Sequence, residues 1–207
     1  MSADDVTAVA IPANLIPDEC TGITPEMLPL TDLTPQEIDT ITATVDGGVA
    51  NVQDIYPRMP LQEGILFHHL LKPESDPYIT PVIMAFNEQA RLDDFLAALQ
   101  AVIQRHDILR TAVVWNGLHE AQQVVWRHAR LSVTELTVTE LTTDELVSDE
   151  MQTIDVVQAL QNRFAPTQMQ MDIAQAPLLA AYQVEDREQG VGYCVCCSII
   201  YVWITQH

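Results

Sequence analysis

Apolar positions recur along this chain in two rhythms. Between residues 92 and 105, Leu92, Phe95, Leu96, Leu99, Val102 and Ile103 follow a three-to-four spacing. That spacing puts them on one face of a helix. Residues 61–71 carry Leu61, Ile65, Leu66 and the pair His68–His69 at helical spacing, with Pro60 just inside the start, where proline is favoured. A longer helix is expected over residues 143–164, with Val147, Met151, Ile154, Val157 and Phe164 on one side. A short one is expected from Thr34 as N-cap, with Pro35 first and Glu37 third, to about Val45, ended by Gly47–Gly48. Residues 79–86, 108–115, 121–126, 131–136, 177–184 and 191–204 read as strands, and Asn116–Gly117 as the turn between the second and third of these. Helices alternate with strands, so the expected class is α/β, a mixed sheet with flanking helices.

The first 50 residues differ from the rest. They hold nine acids, no Lys or Arg and repeated prolines, which remove backbone donors and interrupt regular elements. Residues 1–50 are therefore expected to be an acidic linker with a short helix, and 51–207 the folded lobe. The whole chain has 207 residues, 9 Lys+Arg against 29 Asp+Glu and a formal charge of −20. Apolar residues are 48% of it, too many for a disordered acidic tail. The charge argues against nucleic acid as a partner, because tracking phosphates needs clustered Lys and Arg. It equally disfavours an anionic membrane surface.

The start, MSADDVTAVAIPANLIP, lacks a basic leader region. The longest apolar run, 191–204, is shorter than the roughly 20 residues of a spanning helix. Cys194, Cys196 and Cys197 crowd into that one run, with Cys20 far away. A disulfide framework would spread them, so a reducing, cytoplasmic setting is expected. CxCC is a poor zinc spacing, and in a strand Cys194 and Cys196 share a face while Cys197 points away. Packing as small apolar side chains is the expected role, and no metal is expected. The seven acids from Glu135 to Asp155 read as a solvated helix face. No phosphate-binding loop, dinucleotide fingerprint or G-x-S-x-G elbow is present.

Three stretches carry a resemblance. YPRMPLQEGILFHHL (56–70) resembles the first core motif of the condensation domains of nonribosomal peptide synthetases, RHDILRT (105–111) their second, and MDIAQAPLL (171–179) the approach to their active-site strand. IPANLIPDECTGITPEMLPL and GGVANVQDIYP are similar to the linker between a carrier domain and the dual epimerization/condensation subtype. The resemblance implies one lobe of a chloramphenicol acetyltransferase-like fold, about half of a two-lobed domain. It also implies peptide-bond formation between aminoacyl or peptidyl thioesters held on the phosphopantetheine of carrier domains. No cofactor is expected to bind directly. The implied partners are peptidyl carrier domains and a C-terminal lobe, with self-association through an exposed inter-lobe face.

The family's catalytic motif, His-His-x-x-x-Asp-Gly, is expected after APLL, and there the chain departs from the pattern. Cys197 and Ser198 stand where the two histidines would be, Val202 where the aspartate would be and Trp203 where the glycine would be. A hydroxyl without a partnered base accepts no proton near neutral pH. In the family the aspartate pairs with an arginine of the second motif, here Arg105 or Arg110. With Val202 in its place that arginine is expected to be exposed, because a buried unpaired guanidinium is costly. His68–His69–Leu70–Leu71 followed by Asp76–Pro77–Tyr78 resembles the extended motif of the dual subtype, with Ser75 where glycine is usual. This implies a proton-transfer role for His68 and His69 in epimerizing the donor residue. The alternative is that they are ordinary packing and surface histidines. The resulting expectation is an N-terminal condensation lobe that is inactive as this chain. A non-catalytic module binding a carrier or half-domain, or the remnant of a disrupted synthetase gene, are its rivals.

Overall fold

A computed structural model of the chain describes residues 14–57, 60–71, 75–141, 155–186 and 190–199. Five α-helices are described: α1 (Pro35–Thr44), α2 (Pro60–Leu71), α3 (Gln89–Arg105), α4 (Val138–Leu141) and α5 (Val156–Arg163). Seven strands are described: β1 (Val52–Pro57), β2 (Ile79–Phe86), β3 (Thr111–Val114), β4 (Gln122–Trp126), β5 (Ser132–Leu136), β6 (Leu179–Asp186) and β7 (Val191–Ile199). They form two sheets, a three-stranded antiparallel one in the order β1-β4-β3 and a four-stranded mixed one in the order β2-β7-β6-β5. In the second sheet only β5 and β6 run parallel. The expected mixed α/β class with flanking helices is what the chain adopts.

Strand β7 is central to the larger sheet and parts two apolar cores. Tyr193, Val195, Cys197 and Ile199 join a core with Ile65, Leu66, Leu160, Phe164, Ile173 and Leu178. Cys194 and Cys196 face the other way, toward Leu92, Ile103 and Ala181 under α3. This is the period-two separation expected of a strand. Helix α3 packs through Leu92 and Ile103, as its sequence rhythm predicts. Gln100 fastens it to the β4–β5 connection by donating to the Ala129 carbonyl at 3.0 Å and accepting from the Leu131 N–H at 2.8 Å.

Several expectations change. The strand expected over 108–115 is shorter: residues 107–110 form a 3-10 turn before β3. That turn is closed by Arg110 pairing with Asp107 and by Thr111 Oγ1 donating to the Asp107 carbonyl at 2.9 Å. Strand β1 is absent from the sequence pattern. Gln53 and Asp54 break the alternation there, and the pairing register with β4 slips between Val52 and Asp54, a bulge. Of the helix expected over 143–164, the described part is α5, capped by the Asp155 carboxylate, which accepts from the Val157 and Gln158 N–H groups. Residues 142–154 lie outside the described ones. β6 begins at Leu179 rather than at residue 177. Residues 200–204 of the last expected strand are outside the description.

The N-terminal segment is packed rather than free-running. Ile16, Cys20, Leu28, Leu33, Ile38, Ile41 and Val45 are buried in one core with Val52, Ile55, Ala112, Val114, Val124 and Trp126 of the smaller sheet. The linker expected over residues 1–50 is therefore, from residue 14 on, part of the folded body. Polar contacts reinforce this. Arg127 donates to the Ile16 and Pro17 carbonyls at 2.9 Å each and pairs with Asp18. Helix α1 starts with the expected Thr34 cap, completed into a capping box by Glu37.

Glu37 also reaches out of the box. Its Oε1 accepts from the His119 backbone N–H at 3.1 Å and meets His119 Nδ1 at 2.5 Å, clasping the β3–β4 loop to α1. The His119 hydrogen bond, followed by those of Thr34, holds the Glu37 carboxyl down to about 2 from 4.5. Glu37, with smaller contributions from Glu120 and Asp32, raises His119 above 6.5. Stabilisation by His119 is therefore full below pH 6.5 and lost as pH rises through its raised value. Stabilisation by Glu37 is full above pH 4.5 and lost as pH falls toward 2. The clasp is complete between those limits. His119→Gln should lower Tm in thermal melts near pH 5.5 and leave it unchanged near pH 9. An equal loss at both values would show that the ion pair is not the cause.

Candidate functional site

The residues singled out by sequence fall into three places. The first is helix α2. It is fixed to the smaller sheet by buried amides: Gln62 Nε2 donates to Gln123 Oε1 at 3.1 Å, and Gln123 Nε2 donates to the Pro57 carbonyl at 3.2 Å. Toward its C-terminus it carries the two histidines. Neighbours on a helix point about 100° apart, and here that decides their fates. His69 turns inward and is 4% exposed. Its Nδ1 lies 2.6 Å from Asp76 Oδ2, and Asp76 is fully buried. Asp76 is held in turn: its other carboxylate oxygen accepts from the Tyr78 N–H at 2.9 Å, and its own N–H donates to the Met169 carbonyl at 2.9 Å. His68 is exposed, its ring 5.9 Å from that of Phe67 and 6.1 Å from that of Tyr78. Phe67, Leu70 and Leu71 are exposed on the same helix.

Sequence reasoning had both ends of the His69–Asp76 contact but not the contact itself. Its signal was the seven-residue separation across a helix end and a turn, with an acid before Pro77. The arrangement is that of a histidine oriented by a buried carboxylate, a fixed imidazole rather than a mobile one.

The second place is the RHDILRT stretch, where the two arginines part. Arg105 ends α3 and is exposed. Arg110 is 5% exposed, so the exposure expected of whichever arginine lacks its acid fits Arg105 and not Arg110. The physical reason is a local partner. Arg110 pairs with Asp107 and donates to Gln53 Oε1 at 3.0 Å and to the carbonyls of Trp126 and Arg127. Its charge is thus compensated beside β1 and β4, and among the described residues no group of β7 is one of its partners. Nearby, burial pushes the Asp54 carboxyl up, and the Asp107 charge adds to the effect.

The third place is β7. Ser198 is half-buried, and its cross-strand neighbours are Thr80 of β2 and Leu179 of β6. Neither neighbour is basic. Cys197 is buried, with its thiol against Met169 Sδ at 3.9 Å. Burial, with a smaller contribution from Cys196, pushes that thiol up to about 12, so it stays protonated and inert at neutral pH. Val202 and Trp203 lie outside the described residues. The three places are not one cluster: α2 and β7 border the core that contains Ile65, Leu66 and Cys197, while Arg110 belongs to the smaller sheet. Among the described residues no group of three or more His, Cys, Asp or Glu is arranged to hold a metal. Nor is any described helix long and apolar enough to cross a membrane.

Comparison with known proteins gives a consistent picture. A family model, the condensation domain, matches residues 52–196. Malpinin synthetase of Mortierella alpina is 49% identical over 172 residues, which take in 83% of this chain and 2% of that protein. Malpibaldin synthetase of the same organism is 45% identical over 179 residues, 86% of this chain and 3% of the synthetase. A linear gramicidin synthase of Brevibacillus parabrevis is 35% identical over 118 residues, 57% of this chain and 2% of that synthase polypeptide. The chain thus spans about 2–3% of the length of these relatives. Among solved structures, a four-domain nonribosomal peptide synthetase bound to AMP and glycine shares the fold with TM-score 0.56 at 16% identity, covering 73% of this chain and 10% of that one. The starter condensation domain of rhizomide synthetase does so with TM-score 0.52 at 18% identity, covering 71% and 34%.

The buried pair on α2 yields a direct test. Asp76→Ala leaves His69 Nδ1 buried without its partner, a loss of about 1–3 kcal/mol in urea unfolding. His68→Ala, on the exposed side of the same turn, should stay within about 0.5 kcal/mol. Equal effects would mean that the contact does not hold α2.

Proposed function

The chain belongs to the condensation-domain family of nonribosomal peptide synthetases, and from that premise we propose that it serves as an N-terminal condensation lobe that shapes a reaction space without supplying its base. Condensation requires a carrier-bound amine to attack a thioester carbonyl, with a proton leaving the nitrogen as the peptide bond forms. A positioned general base contributes typically about 10²–10⁴-fold to such a step. The observation that carries the reading is the environment of Ser198. The resemblance puts the family's second motif histidine at this position, and here a hydroxyl stands between Thr80 and Leu179. Cys197 beside it is a buried, protonated thiol.

The partners in this reading are carrier domains, whose phosphopantetheine arms present the thioesters as substrates, and a second lobe. Exposed Phe67, Leu70 and Leu71 on α2 support a covering partner there. The two histidines take separate roles. His69, committed to Asp76, is a framework residue, and His68 faces solvent rather than an enclosed donor site.

The test uses the chain with loaded donor and acceptor carriers in D2O, followed by mass spectrometry. The expected result is dipeptidyl thioester at the level of the no-protein control and no deuterium wash-in at the donor α-carbon. Dipeptidyl product above control overturns the proposal. So does wash-in that His68→Ala abolishes.

A further inference from the structure

Cys194 and Cys196 take no part in the reading above. They lie two residues apart on β7, on the face covered by α3, with their sulfurs 3.7 Å apart. Cys194 is fully buried and Cys196 half-buried. The other cysteines are elsewhere. Cys197 points into the opposite core against Met169, and Cys20 is in the N-terminal core, donating to the Gly22 carbonyl at 3.0 Å. Successive residues on one face of a strand have Cα atoms about 6.6 Å apart. That sits at the far limit for a disulfide, whose Cβ atoms must also approach to about 3.8 Å. Direct oxidation would therefore have to bend the central strand of the sheet. A single atom bonded to both sulfurs bends it far less, because it leaves them well over a bond length apart instead of drawing them to a disulfide's roughly 2.05 Å.

A four-coordinate metal would need further ligands, and among the described residues no third His, Cys, Asp or Glu joins the pair. Trivalent arsenic needs only the two sulfurs, because an organic substituent fills its third position. We propose that Cys194 and Cys196 form a paired-thiol site that captures a trivalent organoarsenical across both sulfurs. Entry is from the β2 edge. Val82 is the cross-strand neighbour of Cys196 on the same face, and it is 49% exposed on a strand that is at the edge of its sheet among the described residues. The hydrogen bond from Cys194 lowers the Cys196 thiol below its ordinary value, which favours attack from the more accessible sulfur. The step balances without an oxidant. Two arsenic–sulfur bonds form, the arsenic–oxygen bond of the arsenoxide breaks, and the two thiol protons leave with that oxygen as water.

Phenylarsine oxide tests this on the full chain. In excess glutathione, intact mass should show one phenylarsenic per molecule, released by 2,3-dimercaptopropanol. Cys196→Ser, at the half-buried position, and Cys194→Ala should both lose it. Cys197→Ser and Cys20→Ser should keep it. Circular dichroism identifies any variant that fails to fold; should Cys194→Ala be one, Cys196→Ser alone decides. Treatment of the wild-type chain with diamide should leave Cys194 and Cys196 open to alkylation. The proposal fails if the folded wild-type chain takes no arsenical, if Cys196→Ser retains it, if Cys197→Ser loses it, or if diamide closes a Cys194–Cys196 disulfide.

Discussion

The hydrogen bonding of β7 on both sides constrains everything near the site. With β2 along one edge and β6 along the other, β7 cannot slip by one residue without turning its whole apolar set over. Tyr193, Val195, Cys197 and Ile199 are consequently fixed in one core, and Cys194 and Cys196 in the other. By the same parity Ser198 is on the α3 side, between Thr80 and Leu179. Chemistry at these positions follows from parity: a buried inert thiol at 197, a half-buried hydroxyl at 198 between Thr80 and Leu179, and a close thiol pair at 194 and 196.

Helix α2 shows how buried polar contacts set orientation where apolar packing alone would not. Leu66 and Ile65 bury the helix, but apolar contacts are non-directional. The Gln62–Gln123–Pro57 chain at one end and the His69–Asp76 pair toward the other fix its rotation. That rotation makes one histidine a framework residue and leaves the next in water. The same logic explains Arg110. A guanidinium in a sheet edge needs charge and acceptors close by, and Asp107, Gln53 and two backbone carbonyls supply them from the adjoining turn and strands.

Much of the scaffold was legible because its signals are local. The capping box at Thr34, the apolar stripe of α3 and the bounds of β2 follow from spacing within one element. The faces of the three C-terminal cysteines follow from strand parity alone. What escaped depends on contacts between distant segments. β1 is a strand because β4 pairs with it across a bulge, despite Gln53 and Asp54. The N-terminal residues pack because Ile16, Leu28 and Leu33 meet a sheet more than fifteen residues further on. Arg110 is buried because Asp107 is three residues back, a spacing equally compatible with an exposed pair. The family motifs put His69 and Asp76 in one stretch but did not show their pairing, which depends on how α2 and the following turn fold together.

The fold around positions 197 and 198 is satisfied by the side chains that stand there. A small side chain at 197 satisfies the core on one side of β7, where Cys197 is fully buried, and a half-buried hydroxyl at 198 sits beside the hydroxyl-bearing Thr80 without leaving a charge in the sheet. A histidine buried at 197 without a partner would carry a desolvation cost that the thiol avoids. Arg110 is likewise held, drawing its partners from the smaller sheet and its own turn. Among the described residues β7 is paired on both sides with cysteine at 197 and serine at 198, and Arg110 is held by Asp107, Gln53 and two carbonyls, with its Nε buried and without a partner. The residues singled out for chemistry are thus themselves part of the packing: Cys197 fills one core, the His69–Asp76 pair fixes α2, and Arg110 ties its turn to the smaller sheet.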